Sequence, residues 1–119
     1  MKSKNNSVAL SKKLIAEKSK SFDKQYMKAG NAFERVKCLR DIRDFINLEL
    51  DEWILQLSDY EQLSPKKQAE LIPEAKQRIS ELNELVDQLN ELAAPDLEAS
   101  LLIQNAMIRE GKLKEPVII

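Results

Sequence analysis

Apolar residues recur along this chain at alternating steps of three and four, the spacing that gathers side chains on one face of an α-helix. The pattern is strongest from Ile79 to Leu92, which reads ISELNELVDQLNEL, one heptad written nearly twice, with Ile79, Leu82, Val86 and Leu89 as its seam. The series runs back through Ala75 to Ile72 and forward to Ala93, about three heptads, near the minimum for a coiled-coil-like helix. A seam of this kind predicts contact with another helix, from the same chain or from a second copy. Leu85 and Leu92 broaden the stripe on one side and predict two neighbours. Asn83 and Asn90, one heptad apart at the seam's edge, are placed to fix register with a facing helix.

Upstream, the stripe is thinner. After polar residues 1–6, which offer nothing to offset the entropy of ordering them and are expected to be flexible, Ser7 can cap a helix over about Val8 to Ala29 carrying Leu14, Ile15, Phe22 and Tyr26. Gly30 and Asn31 read as its stop, since both tolerate the left-handed conformation used there. The apolar positions nevertheless continue nearly in phase through Phe33 and Val36, which leaves one uninterrupted helix as the alternative. A second helix, from about Ala32 to Ser58, carries Val36, Leu39, Ile46, Leu50, Trp53 and Leu57, with Arg43 where an apolar residue would fit. Ile42, Phe45 and Ile54 widen that face beyond a two-stranded seam and point to a multi-helix core.

Ser64 followed by Pro65 is a hydroxyl cap before a first-turn proline. Pro73 lacks the amide a helix interior needs, so the pattern predicts a short lead-in and a fresh start of the third helix near Pro73, running to about Ala93. Ala94, Pro95 and Asp96 repeat the start signature, and a fourth helix with Leu97, Leu101, Leu102, Met107 and Ile108 ends at Gly111. The expected fold is all-α: an antiparallel bundle of three to four helices with a coiled-coil-like third helix, formed by residues 7–111 and followed by a tail, 112–119. Val117, Ile118 and Ile119 in that tail are expected to fold back over the bundle; the alternative is a short extended ligand for a partner's groove.

Composition sharpens this picture. Among 119 residues there are only two glycines and four prolines, which means few turns and long helices. The lone Cys38 excludes an intramolecular disulfide and fits a reducing compartment, so a cytoplasmic location is expected. No apolar run reaches the length of a membrane span, and charges interrupt VALSKKLIAEK before a signal-peptide core develops. The formal net charge of −1 hides a two-ended chain: residues 1–28 hold eight lysines against Glu17 and Asp23, a balance of +6, and the remainder sums to −7. Six acids and no base lie from Asp44 to Glu61, and again from Glu81 to Glu98.

Candidate chemistry is sparse. With no histidine, a serine or cysteine nucleophile lacks its usual base and the histidine-containing zinc and di-iron patterns are closed. Gly30 and Gly111 stand too far apart for a phosphate loop. Glu49 with Glu52, and Glu84 with Asp87, are carboxylate pairs three apart, a spacing that resembles the paired acidic motifs of the all-helical nucleoside triphosphate pyrophosphohydrolases. That resemblance would imply magnesium-dependent hydrolysis. The heptad phase, however, turns Glu84 and Asp87 to solvent when Leu82 and Val86 face inward, and membership is not assigned. No catalytic, metal or cofactor-binding residue is therefore expected, and no cofactor.

The reading that remains is a non-enzymatic helical protein–protein interaction module, an adaptor, chaperone or small regulatory or inhibitory protein. Its expected contacts are the seam residues Ile79, Leu82, Val86 and Leu89, with homo-oligomerisation through that seam or a foreign helix in its place, and the tail residues Val117, Ile118 and Ile119. The alternative is a nucleic-acid-associated regulator in which Lys12, Lys13, Lys20 and Lys24 neutralise phosphates. The absence of arginine from that segment, the usual reader of base edges, disfavours it.

Overall fold

The computed structural model describes the backbone of residues 2–117 and side chains from residue 8 onward. Three long helices, α1 (Lys2–Lys28), α2 (Ala32–Tyr60) and α3 (Pro65–Ala93), are followed by a single 3-10 turn over Ala94–Asp96 and a shorter helix, α4 (Leu97–Arg109). Trp53 of α2 meets Ser11 of α1 while Cys38 meets Phe22, so α1 and α2 run antiparallel. The tight turn after Tyr60 sends α3 back along α2. Helix α2 is the hub that touches all the others. The result is a rod of 60 × 24 × 22 Å.

The break after α1 differs in kind from the expected one. Neither Gly30 nor Asn31 has a positive φ; Asn31 is extended, and its side chain accepts from the Glu34 amide at 2.9 Å. The Glu34 carboxylate in turn accepts from the Gly30 amide. The chain is interrupted because α2 builds its own start, a reciprocal cap that satisfies amides no helical carbonyl can reach, and the one-helix alternative is excluded. At the other end Gly111 behaves as expected. Its φ is +76°, the Gly111 amide bonds Ile108 O at 3.1 Å and the Lys112 amide bonds Met107 O at 2.8 Å, the paired bonds of a left-handed helix stop.

Two other boundaries move. Helix α1 begins at Lys2, so residues 2–6, expected to be flexible, are helical; extending an existing helix through residues without a breaker adds one bond per residue and needs no new nucleus. Helix α3 begins at Pro65, with Ser64 accepting from the Lys67 amide, and runs through Pro73 without restarting. The proline sits on the exposed side, and the carbonyl it cannot serve, at Ala69, belongs to an exposed residue that water can satisfy.

The core lies where the stripes of α1, α2 and α3 meet: Ile15, Ile42, Ile46, Trp53, Ala75 and Leu82 are buried together, with Phe22, Phe45, Leu50, Val86 and Leu89 packed around them. Arg43, in its apolar position, donates to Asn90 across the bundle at 3.4 Å and pairs with its neighbour Asp44. A stronger tie joins α2 to the start of α4. Arg35 holds Asp96 through two parallel hydrogen bonds of 2.8 and 2.9 Å.

Helix α4 packs a mixed face inward, with Ile103, Met107 and Ile108 half-buried around two fully buried polar residues. Ser100 and Gln104 are buried against the bundle, whereas Leu101 and Leu102 are 56% and 64% exposed. Gln104 is held there by the tail, since its Oε1 accepts from the Val117 amide at 2.8 Å. The chain thus folds back at Val117, which is half-buried; Ile118 and Ile119 lie outside the described residues.

Candidate functional site

The seam predicted to bind a partner is occupied within the chain. Leu82 is 0% exposed, and Ile79, Val86 and Leu89 are half-buried against the same core, so the helix facing them is α2. A second copy pairing through these residues would have to displace α2. The broader side of the stripe faces α1. Ala75, Arg78, Leu82, Leu85 and Leu89 continue at three and four spacing along it, with Arg78 as the one polar member.

Arg78 is 4% exposed and sits in a polar node to which all three long helices contribute. Ser11 Oγ accepts from Arg78 Nε at 3.0 Å and from Trp53 Nε1 at 3.3 Å. Arg78 Nη1 pairs with Glu81 at 3.4 Å, and Glu81 also meets Lys12 at 3.7 Å. Among the described residues Arg78 Nη2 has no hydrogen-bond partner. The node is an acceptor oxygen shared by two donors, which orients helices; the chain has no histidine to act on that hydroxyl as a base. It was missed in the sequence, although a basic residue at a core phase of α3 is its signature.

Of the four lysines singled out, Lys12 is engaged with Glu81 while Lys13, Lys20 and Lys24 are exposed and share the outward face of α1 by their spacing. The carboxylate pairs do not come together as one cluster. Glu49 and Glu52 border a groove between α1 and α2, Glu84 and Asp87 are exposed on α3, and among the described residues no three His, Cys, Asp or Glu side chains form a group able to hold a metal. No helix is long and apolar enough to cross a membrane among the described residues. Cys38 is buried, its Sγ donating to Phe22 O at 3.2 Å, and burial pushes its thiol pKa up, away from the reactive thiolate.

Three surfaces remain with bulky apolar groups open to solvent. One is the α4 face with Leu97, Leu101 and Leu102. Another is an apolar cleft of about 300 Å³ between α1 and the α2–α3 pair, walled by Phe22, Tyr26, Leu85 and Leu89. The third is the flank where α1 and α2 lie side by side, bearing Leu10 and Leu14. Compared with protein-family models, with curated proteins and with solved structures, the chain matches none of them.

Proposed function

We propose that this chain is a non-enzymatic, cytoplasmic interaction module, an adaptor, chaperone or small inhibitor, that binds a protein partner through the leucine face of α4. The observation that carries this reading is the orientation of that helix. It buries Ser100 and Gln104 and leaves Leu101 and Leu102 in water, the reverse of what burial of apolar area favours by roughly 25 cal/mol per Å². An arrangement that forgoes this gain within the chain is explained when a partner covers the leucines. The seam residues Ile79, Leu82, Val86 and Leu89 then serve as the scaffold that holds α3 and α2 together beneath α4.

Site-specific photo-crosslinking tests the reading. A photoreactive residue at Asn105, exposed beside this face, should give one dominant protein adduct in native lysate, lost when Leu101 and Leu102 are both changed to Asp with helicity retained. Absence of any adduct, or adducts unchanged by the two substitutions, overturns it. A second reading is favoured by the shared outward face of Lys13, Lys20 and Lys24, which is suited to phosphate backbones. It requires binding to DNA or RNA that weakens steeply with salt and disappears when the three are changed to Gln.

A further inference from the structure

The flank formed by α1 and α2 has two unlike ends. Because these helices run antiparallel, the lower half of α1 lies beside the first half of α2, and the upper half of α1 beside the second half of α2. At the upper end a groove of about 300 Å³ has Leu10 and Leu14 on its α1 lip, Trp53 within it, and Glu49 and Glu52 on its α2 side. At the lower end of the same flank a shallow groove of about 380 Å³ is bordered by Lys28 and Lys37. The two acids of the lower groove are already engaged: Glu34 accepts from the Gly30 amide and Asp41 pairs with Arg40.

A surface whose groove-lining acids without an ion-pair or hydrogen-bond partner among the described residues lie at one end, and whose groove-lining bases without one lie at the other, is complementary to itself when turned end for end. We propose that a second copy of this chain docks on this flank about a two-fold axis perpendicular to the rod, so that Lys28 and Lys37 of each copy reach Glu49 and Glu52 of the other. The long lysine stems lie over Leu10 and Leu14 while their ammonium groups meet the carboxylates. Such a contact is isologous and closes as a dimer, because each flank gives and receives the same interactions. It uses a different surface from the α4 leucines and does not depend on the reading given to them.

Sedimentation of the full chain from micromolar to near-millimolar concentration tests this. The wild type should pass from monomer to dimer, with dissociation favoured by high salt because the charged groups are exposed. Reversing the bases (Lys28→Glu with Lys37→Glu) makes both ends acidic, and reversing the acids (Glu49→Lys with Glu52→Lys) makes both ends basic. Each variant alone should stay monomeric while remaining helical by circular dichroism, and the two mixed should form a heterodimer. A wild type that is monomeric throughout overturns the proposal, as does a dimer that survives both reversals. In either case an α4 crosslink that still depends on Leu101 and Leu102 would leave the proposed function standing.

Discussion

The Ser11 hydroxyl oxygen is the acceptor for both Arg78 and Trp53, and that sharing decides what its loss costs. Ser11→Ala strands an indole N–H and a guanidinium N–H in the interior, where an unsatisfied donor costs about 1–3 kcal/mol. Arg78→Met removes the buried guanidinium together with its Nη2, unpartnered among the described residues, and Glu81, partly exposed and still paired with Lys12, is not left as an uncompensated buried charge. Urea denaturation should therefore show Ser11→Ala clearly less stable than wild type and Arg78→Met equal to it or better. The reverse order would mean that the guanidinium, not the hydroxyl, is indispensable to the node.

Asp96 supplies the pH dependence at this scale. The hydrogen bonds from Arg35 hold its carboxyl below the ordinary value, outweighing partial burial, which pulls the other way. A carboxylate whose folded pKa is depressed stabilises the fold in full above the unfolded value of about 3.9 and ceases to do so as the pH drops through the lower folded value. Melting temperatures of wild type and Asp96→Asn should accordingly differ by a constant amount from neutrality down to about pH 4 and converge below it. A gap that persists in acid would assign the effect to the shape of the turn instead of to the ion pair.

Among elements, α3 carries the most informative irregularity. Pro73 lies inside a continuous helix, where it forgoes one hydrogen bond and crowds the preceding turn. Pro73→Ala should therefore stabilise the chain by about 1–3 kcal/mol, read as a higher denaturation midpoint. Were Pro73 the first residue of a new helix, the same change would be neutral or harmful. The heptad spacing made α3 readable without coordinates, because Ile79, Leu82, Val86 and Leu89 repeat over several turns and a single proline does not outweigh that much packing. The faces of helix α4 were not legible, for the opposite reason. It has thirteen residues with leucine on several sides, too short and too evenly apolar for spacing to single out Ser100 and Gln104 as the buried pair. The tie of Arg35 to Asp96 spans 61 positions, a separation over which periodicity is silent.

As a whole the molecule is extended. Its Cα radius of gyration is 18.2 Å, against about 13–14 Å for a compact domain of this length, so most residues of a helix that do not face α2 face water. Small-angle scattering gives this prediction a direct check: the monomer should show a rod near 60 Å long, and the flank-to-flank dimer should thicken the rod far more than it lengthens it. Charge was legible at this scale, since the lysines of the first helix and the acids of the second are plain in the sequence. The placement of Lys28 and Lys37 at one end of the flank and of Glu49 and Glu52 at the other was not, because it depends on the antiparallel course of α1 beside α2.

The cap at Gly30, Asn31 and Glu34 belongs wholly to the chain beyond Lys28, and α1 contributes nothing to it. That junction works as a perforation: trypsin cutting after Lys28 leaves the remainder with its starting amides still satisfied, and the lysine-rich segment, then held only by non-covalent contacts such as the packing of Ile15 and Phe22, comes away in mild denaturant. Cys38, whose thiol rests on the carbonyl of Phe22, would then be uncovered, and its alkylation by iodoacetamide should rise from slow to fast in step with that release. The first rod of the bundle is by this measure a removable stave.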